Sequence, residues 1–142
     1  MKVEIGINGE RRIPHQSDTF LEIARVVSQQ SNCIRRQYGC VIVKNNQIVS
    51  IGYNAAPEGE YSCYHKGFCT RGNEPHNSGY YDNCKSVHAE QAALIQTNPE
   101  KLKGATLYLA GYEDEKEIKN VEPCPICMRM IKFAGISDII TN

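Results

Sequence analysis

Residues 40–53 read CVIVKNNQIVSIGY and give the chain its clearest structural pattern. Two runs rich in β-branched residues flank Asn45-Asn46, which predicts a β-hairpin with strands at about 40–44 and 47–53. Cys40 lies inside the apolar strand, and a small thiol in that position is usually part of a core.

The segments around this hairpin predict further helices and strands. Working outward, we expect a helix at about 18–30, a helix at 87–96, a strand at 105–110, a helix at 125–134 and a strand at 136–141. Residues 1–14 add a candidate N-terminal hairpin with a turn at Asn8-Gly9. This order of elements is typical of an α/β sandwich with a mixed sheet.

Two other segments lack periodicity. Residues 54–86 are rich in Gly, Tyr, Cys and His, and a loop of that length is usually functional or clamped internally. Residues 111–122 are strongly charged, so we expect them to form a solvated excursion. They lie next to the helix at 125–134, and a role in shaping the pocket is the alternative.

Length and charge exclude several classes of protein. The chain has 142 residues, the size of one domain, and its 16 Lys and Arg residues balance 16 Asp and Glu residues. Without a basic excess, nucleic acid and anionic membranes are not expected partners. No apolar run approaches the roughly 20 residues of a membrane span, and no signal peptide follows Met1, so we expect a cytoplasmic protein. Seven cysteines in such a chain indicate metal binding or catalysis, not disulfides.

Two short motifs carry candidate chemistry, namely His88-Ala89-Glu90 and Pro123-Cys124-Pro125-Ile126-Cys127. Cys124 and Cys127 are three residues apart at a helix start, so both sulfurs face one side and can share a metal. His88 can be a third ligand, which leaves a fourth position open as in catalytic zinc sites. Zinc lowers the pKa of bound water, and Glu90 is placed to take and return a proton.

Each motif alone has a simpler interpretation. The Cys-x-x-Cys pair can be a redox pair, His88 a buried core histidine and Glu90 a solvated helix residue. A closed structural zinc site is a further alternative. The combination of His-x-Glu with Pro-Cys-x-x-Cys is much more specific, because it is the signature of zinc nucleobase deaminases.

Beyond these motifs, the chain resembles deoxycytidylate (dCMP) deaminases from about residue 20 to residue 140. The resemblance rests on residues 33–44, 87–93, 123–127 and 134–136, and above all on Tyr53-Asn54-Ala55-Ala56-Pro57-Glu58-Gly59. It implies a single zinc-dependent deaminase domain over residues 1–142 and a homo-oligomer. The implied fold is the cytidine-deaminase-like three-layer α/β/α sandwich, with a central mixed sheet of about five strands.

The resemblance also implies roles for individual residues. His88, Cys124 and Cys127 hold zinc, and zinc-bound hydroxide attacks C4 of cytosine with Glu90 as the proton shuttle, so that dCMP gives dUMP and ammonia. The implied substrate-binding residues are Asn54, Arg35, Arg36 and Ala89. The two arginines are candidates for the phosphate because a guanidinium binds phosphate as a planar fork. Arg35 matches the family position better, and a solvated surface arginine is the alternative for either one. Arg71 is a weaker candidate.

Some members of the family, notably phage enzymes, have a second, structural zinc on cysteines that match Cys33 and Cys63. The ligands of a second site of this kind would be Cys33, Cys63, Cys69 and Cys84, with His65 or His76 as substitutes. Such a closed site would stabilise the polar loop at 54–86. Four free thiols are the alternative.

Two other functions remain open at the level of sequence. One is a deaminase of the same fold that acts on another nucleoside or a free base. It is favoured by the end of the chain at Asn142, since family members usually continue into a segment that can contribute to the phosphate site. The other is a non-catalytic zinc-binding module.

Overall fold

The structure, a computed structural model, describes residues 4–5, 11–12, 16–72, 74–75 and 83–142. At the N-terminus, β1 (Glu4–Ile5) pairs antiparallel with β2 (Arg11–Arg12). The turn predicted at Asn8-Gly9 lies outside the described residues. No helix in the described part of the chain is long and apolar enough to cross a membrane.

The hairpin predicted at 40–53 is present and follows helix α1 (Gln16–Ser28). It consists of β3 (Gln37–Lys44) and β4 (Gln47–Tyr53), which pair antiparallel. Asn45 and Asn46 have φ angles of 52° and 61°, the left-handed pair that a type I′ turn requires. The remaining helices are α2 (Cys63–Lys66), α3 (Ala89–Ile95), α4 (Pro99–Leu102) and α5 (Pro125–Ala134).

Strand β3 lies inside a five-stranded mixed sheet. Strand β5 (Thr106–Glu113) pairs antiparallel with β3 on the side away from β4. On the far side of β5, strand β6 (Lys116–Glu117) pairs antiparallel with its end, and strand β7 (Asp138–Ile140) pairs parallel with its start. The predicted mixed sheet of about five strands is confirmed.

Helices cover both faces of this sheet, because side chains of a strand alternate between its faces. Helix α1 packs on the face that presents Val41 and Val43. Helices α3, α4 and α5 contribute to the core on the other face, which contains Cys40 and Ile42. These layers confirm the predicted α/β/α sandwich and the buried position of Cys40, which is 0% exposed.

The prediction for residues 111–122 is partly wrong. Strand β5 does not end at residue 110 but continues to Glu113, and β6 folds back on it through a turn in which Asp114 and Glu115 have φ angles of 51° and 63°. Val121 is only 4% exposed and joins the core. The segment is therefore an extension of the sheet with a solvated turn, which we call the β5–β6 hairpin.

Gly52 allows α3 to lie directly against β4. A Cβ atom at this position would collide with the carbonyl oxygen of Ala89 and the backbone nitrogen of Ala93. Both atoms belong to the helix backbone, which cannot move aside like a flexible side chain. The absence of a side chain at residue 52 thus sets the position of the helix that begins with Ala89.

We predict that Gly52→Ala lowers the free energy of unfolding by about 2 kcal/mol or more, because the added methyl group overpacks the contact between α3 and β4. Urea unfolding would measure the loss. Gln47→Ala, at the exposed start of the same strand, is the control and should cost less than about 0.5 kcal/mol. Equal losses in the two variants would contradict the close packing of α3.

Candidate metal centre and adjoining cavity

His88 immediately precedes α3 and is fixed there by its backbone. Its φ and ψ angles are −68° and 151°, and its N–H donates to the side-chain oxygen of Gln91 at 3.0 Å. The preceding residue, Val87, exchanges two backbone hydrogen bonds with Ala55, at 2.8 and 3.1 Å, just after β4. The imidazole therefore lies where the end of β4 meets the start of α3.

Cys124 and Cys127 lie at the start of α5. Cys124 is the residue that caps the helix, and its sulfur accepts a hydrogen bond from the N–H of Cys127 at 3.4 Å. Pro125 occupies the first turn, where its missing N–H leaves no hydrogen bond unmade. Both sulfurs are buried and face the same side.

The two helix starts bring three candidate ligand atoms together. His88 Nδ1 lies 3.2 Å from Cys127 Sγ and 3.6 Å from Cys124 Sγ, and all three atoms lie within 4.8 Å of one another. A tetrahedral zinc ion with the usual bond lengths separates its sulfur and nitrogen ligands by about 3.5 Å. The donor types and their spacing thus fit zinc. Within the described residues, this is the only group of three such ligands at metal-binding spacing.

The environment changes the proton affinities of these ligands. Burial, and next the charge of Arg71, lowers the pKa of His88, so the imidazole is neutral as a metal ligand must be. Burial, and next the charge of Glu90, raises the pKa of the Cys127 thiol far above its usual range. Cys127 is therefore protonated in the metal-free chain, and its proton would leave on metal binding.

Glu90 lies in the first turn of α3 and is only 5% exposed. Burial raises the pKa of its carboxyl group, and hydrogen bonds from its own backbone N–H and the Cys127 thiol offset part of that rise. A buried carboxyl next to a metal ligand is suited to exchange a proton with a nearby reactant.

One cavity adjoins this centre. His88, Glu90 and Cys124 line it, and so do Arg35, Arg36 and Asn54. Ala89 does not line it, because the residue is 1% exposed and packs in the core. The structure therefore brings the predicted catalytic residues and most of the predicted substrate-binding residues to one space.

Asn54 fixes the backbone of residues 35–38, which we call the arginine segment. Its side-chain oxygen accepts a hydrogen bond from the N–H of Tyr38 at 2.8 Å, and its side-chain nitrogen donates to the carbonyl oxygen of Arg36 at 2.8 Å. The hydroxyl of Ser31 donates to the Asn54 carbonyl oxygen at 2.7 Å. Asn54 is 7% exposed, so these hydrogen bonds satisfy groups that would otherwise be buried without partners.

The two neighbouring arginines differ in their contacts. Arg36 forms an ion pair with Glu113 at 3.0 Å and donates to the hydroxyl of Tyr38 at 3.2 Å. Arg35 Nη1 is buried and has no hydrogen-bond partner among the described residues. Arg71, the weaker candidate, also lines the cavity and donates to the carbonyl oxygen of Pro75 at 3.1 Å.

The four remaining cysteine candidates share the same cavity. They are half-buried and line it on the side of the 54–86 segment: Cys33, Cys63, Cys69 and Cys84. Burial raises the pKa of Cys33, and hydrogen bonds from the backbone of Arg36 and Arg35 offset part of that rise. Their sulfurs are not gathered at metal-ligand spacing as in the first cluster. His65 Nδ1 is hydrogen-bonded to Ser62 Oγ at 2.7 Å, and His76 lies outside the described residues.

Sequence reasoning missed several residues of the cavity wall. Tyr38, Lys85 and Glu122 also line it. Glu122 directly precedes Pro123, and Tyr38 lies two residues after Arg36. Their closeness in sequence to these predicted site segments could have identified both as cavity residues. No local sequence pattern pointed to Glu113, the partner of Arg36. It is distant from Arg36 in sequence and lies in a segment that was expected to be solvated.

Comparison with known proteins gives consistent matches. The family described as "Cytidine and deoxycytidylate deaminase zinc-binding region" matches residues 14–142. Deoxycytidylate deaminase of Mycobacterium phage D29 is 35% identical over 133 residues, covering 89% of this chain and 94% of that protein. Deoxycytidylate deaminase of Schizosaccharomyces pombe is 32% identical over 136 residues, covering 94% of this chain, which spans only 39% of that relative's length.

A solved structure has the same fold. It is the dCMP deaminase of cyanophage S-TIM5 in complex with dCMP and dUMP, which matches with a TM-score of 0.62 and 27% sequence identity. The match covers 92% of this chain and 82% of that one.

We predict that Cys127→Ala lowers the zinc content of the purified protein by about one equivalent per chain, because one of three protein ligands is removed. Elemental analysis after dialysis would measure it. Cys40→Ala is the control, since Cys40 is a core thiol that is not one of the three clustered ligands and its loss should leave the zinc content unchanged. Unchanged zinc in Cys127→Ala would exclude this cluster as the metal site.

Proposed function

Because the chain belongs to the cytidine and deoxycytidylate deaminase family, we propose that it catalyses the hydrolysis of dCMP to dUMP and ammonia. The observation that carries this proposal is the buried Glu90 beside a cluster of three zinc-type ligands, at a cavity that Glu90, His88 and Cys124 line. The phage D29 relative, of which this chain covers 94%, and the S-TIM5 neighbour, solved with dCMP and dUMP, support the substrate.

In this proposal His88, Cys124 and Cys127 would hold zinc, since their ligand atoms all lie within 4.8 Å of one another. A zinc ion in an open site supplies a Lewis acid that makes water nucleophilic near neutral pH. The protein keeps His88 neutral through burial, so the nitrogen lone pair is available to the metal. Charge neutrality follows, because two thiolates balance a divalent ion.

Glu90 moves the proton. Its carboxylate takes one proton from the attacking water and passes it to N3 of the cytosine ring. It then takes the remaining proton from the new hydroxyl group at C4 and delivers it to the 4-amino group, so that the C4–N bond breaks, ammonia leaves and C4 becomes the carbonyl carbon of dUMP. Burial raises its pKa, which makes the protonated form accessible for this second role. The burial of the carboxylate also keeps bulk water from competing for the proton.

Arg35 is the proposed ligand of the substrate phosphate. Both arginines line the cavity, but Arg36 is already engaged by Glu113, whereas Arg35 Nη1 is buried without a partner among the described residues. An anion at Arg35 would provide that partner. Asn54 also lines the cavity, and its second amide hydrogen is suited to a sugar hydroxyl. Any contact from Ala89 would have to come from its backbone, since its methyl group lies in the core.

We also propose that Cys33, Cys63, Cys69 and Cys84 hold a second, structural zinc. In its support, all four thiols line one cavity. Three of them, Cys63, Cys69 and Cys84, belong to the 54–86 segment, in whose described part only Asn54 and Ser62 are buried. Metal binding would draw the sulfurs together and close the loop. Homo-oligomer formation and a cytoplasmic location stay predictions.

We predict that ammonia release is fastest with dCMP in a panel that also contains dCTP, deoxycytidine, cytidine, adenosine and guanine. Glu90→Gln should lower the rate by about 10²- to 10⁴-fold and retain zinc, because only the proton shuttle is lost.

Arg35→Gln should lower kcat/KM for dCMP by about tenfold to a hundredfold, because it removes one charge-assisted contact. The value of kcat/KM for deoxycytidine, which has no phosphate, should stay nearly unchanged. Arg129→Gln, an exposed arginine outside the cavity, is the control for Arg35→Gln.

Each outcome of this panel has a distinct meaning. If ammonia release is fastest with an unphosphorylated compound, dCMP is not the preferred substrate, but the proposed zinc chemistry is not contradicted. No turnover above Glu90→Gln for any compound would favour the non-catalytic zinc module.

For the second site, we predict two zinc equivalents per chain in the wild type, one in Cys127→Ala and one in Cys63→Ala. Cys63→Ala should also make the 54–86 segment more sensitive to limited proteolysis, because the clamp is lost. A single equivalent in the wild type that persists in Cys63→Ala would favour the free-thiol alternative.

A further inference from the structure

Arg36 lines the cavity but forms an ion pair with Glu113, a residue that does not line it. Its Nη2 atom lies 3.0 Å from Glu113 Oε2, and its Nη1 atom donates to the hydroxyl of Tyr38 at 3.2 Å. Arg36 and Tyr38 line the cavity, whereas Glu113 does not. The charge of Arg36 is thus balanced before any ligand enters.

The contact with Glu113 occupies the atom that matters most for phosphate binding. A guanidinium binds phosphate through two neighbouring N–H groups, either at its end or along its side. Nη2 belongs to both of these forked faces. Arg36 Nε is buried and has no partner among the described residues, so the side face has one unpaired N–H group next to the Nη2 atom that Glu113 occupies.

Glu113 is held in place by the β5–β6 hairpin. Strand β6 pairs Lys116 with Glu113 itself. Next to it, Glu117 accepts from Arg25 Nε at 2.7 Å, which ties the hairpin to α1. The backbone of Glu113 is therefore held in place by the hairpin, with its carboxylate next to Arg36.

We propose that Glu113 determines phosphate specificity by withholding Arg36 from the ligand, so that the cavity favours one phosphate group over a longer phosphate chain. The inference rests on the proposed function, since it assigns the anion at Arg35 to the phosphate of a nucleotide. Removal of the Glu113 charge would free the guanidinium group of Arg36 to bind an anion, in addition to that of Arg35. Arg71 and Lys85 line the same cavity, so the test has to isolate Arg36.

The first test measures anion binding without catalysis. Inorganic phosphate and pyrophosphate are titrated at low ionic strength against wild type, Glu113→Gln, Glu117→Gln and the double variant Arg36→Gln/Glu113→Gln, and the rise in Tm gives each affinity. We expect Glu113→Gln to bind pyrophosphate about threefold tighter or more, with a smaller gain for phosphate. A gain in affinity is informative, because a merely structural defect would weaken binding.

Glu117→Gln is the matched control. It makes the same substitution in the same hairpin and breaks an ion pair with Arg25, and neither Arg25 nor Glu117 lines the cavity. It should show no gain. The double variant should lose the gain, because the released guanidinium is absent. The proposal is overturned if Glu113→Gln shows no gain, if Glu117→Gln gains equally, or if the gain persists without Arg36.

The second test uses turnover. In Glu113→Gln, kcat/KM for dCDP should rise relative to dCMP by about threefold or more, whereas the ratio should stay at the wild-type value in Glu117→Gln. If Arg36→Gln alone weakens phosphate binding as much as Arg35→Gln, then Arg36 already contacts the phosphate in the wild type and the proposal is wrong. An inactive wild type that still shows the Arg36-dependent gain would overturn the deaminase function while the control of anion binding by Glu113 stands.

Discussion

The site depends on how closely the starts of α3 and α5 approach each other. His88 Nδ1 lies 3.2 Å from Cys127 Sγ and 3.6 Å from Cys124 Sγ, and zinc bonds tolerate deviations of only about 0.2 Å. Both helices lie on the same face of the sheet and share one apolar core. Gly52 removes the side chain that would push α3 away from β4. The packing of two helices on a sheet thus fixes the ligand geometry.

That packing buries groups that are costly to ionise. Glu90 is 5% exposed and Cys127 is 0% exposed, and burial raises the pKa of both. In the absence of a cation, two negative charges this close would destabilise the fold. A divalent ion at the cluster would reverse this, because it would stabilise the thiolate. Metal binding at this cluster would therefore also stabilise the fold.

The candidate metal centre could be predicted from sequence because its signal is local. His88 and Glu90 are two residues apart, and Cys124 and Cys127 are three apart, so each pair needs only one helix start. The sheet was predictable for the same reason, since β-branched runs flank Asn45-Asn46. The ion pair between Arg36 and Glu113 joins distant segments through tertiary structure, and no local pattern encodes it.

The same limit applies to the loop at 54–86 and to the choice between the arginines. Helix α2 has only four residues, which is too short for a periodic pattern to reveal. The resemblance to the family favours Arg35, but no local pattern shows how the contacts of the two arginines differ. Strand β5 extends far enough to bring Glu113 to Arg36.

The end of β4 connects the two halves of the site. Asn54 binds the backbone of Arg36 and Tyr38 through its side chain, and Ala55 binds the backbone of Val87, next to His88, through two hydrogen bonds. Two consecutive residues therefore hold the arginine segment at one side and the metal ligand at the other. A nucleotide has a fixed range of distances between its base and its phosphate. Because backbone hydrogen bonds set the corresponding distance in the protein, substrate length can be selected by the frame of the cavity as well as by the charges that line it.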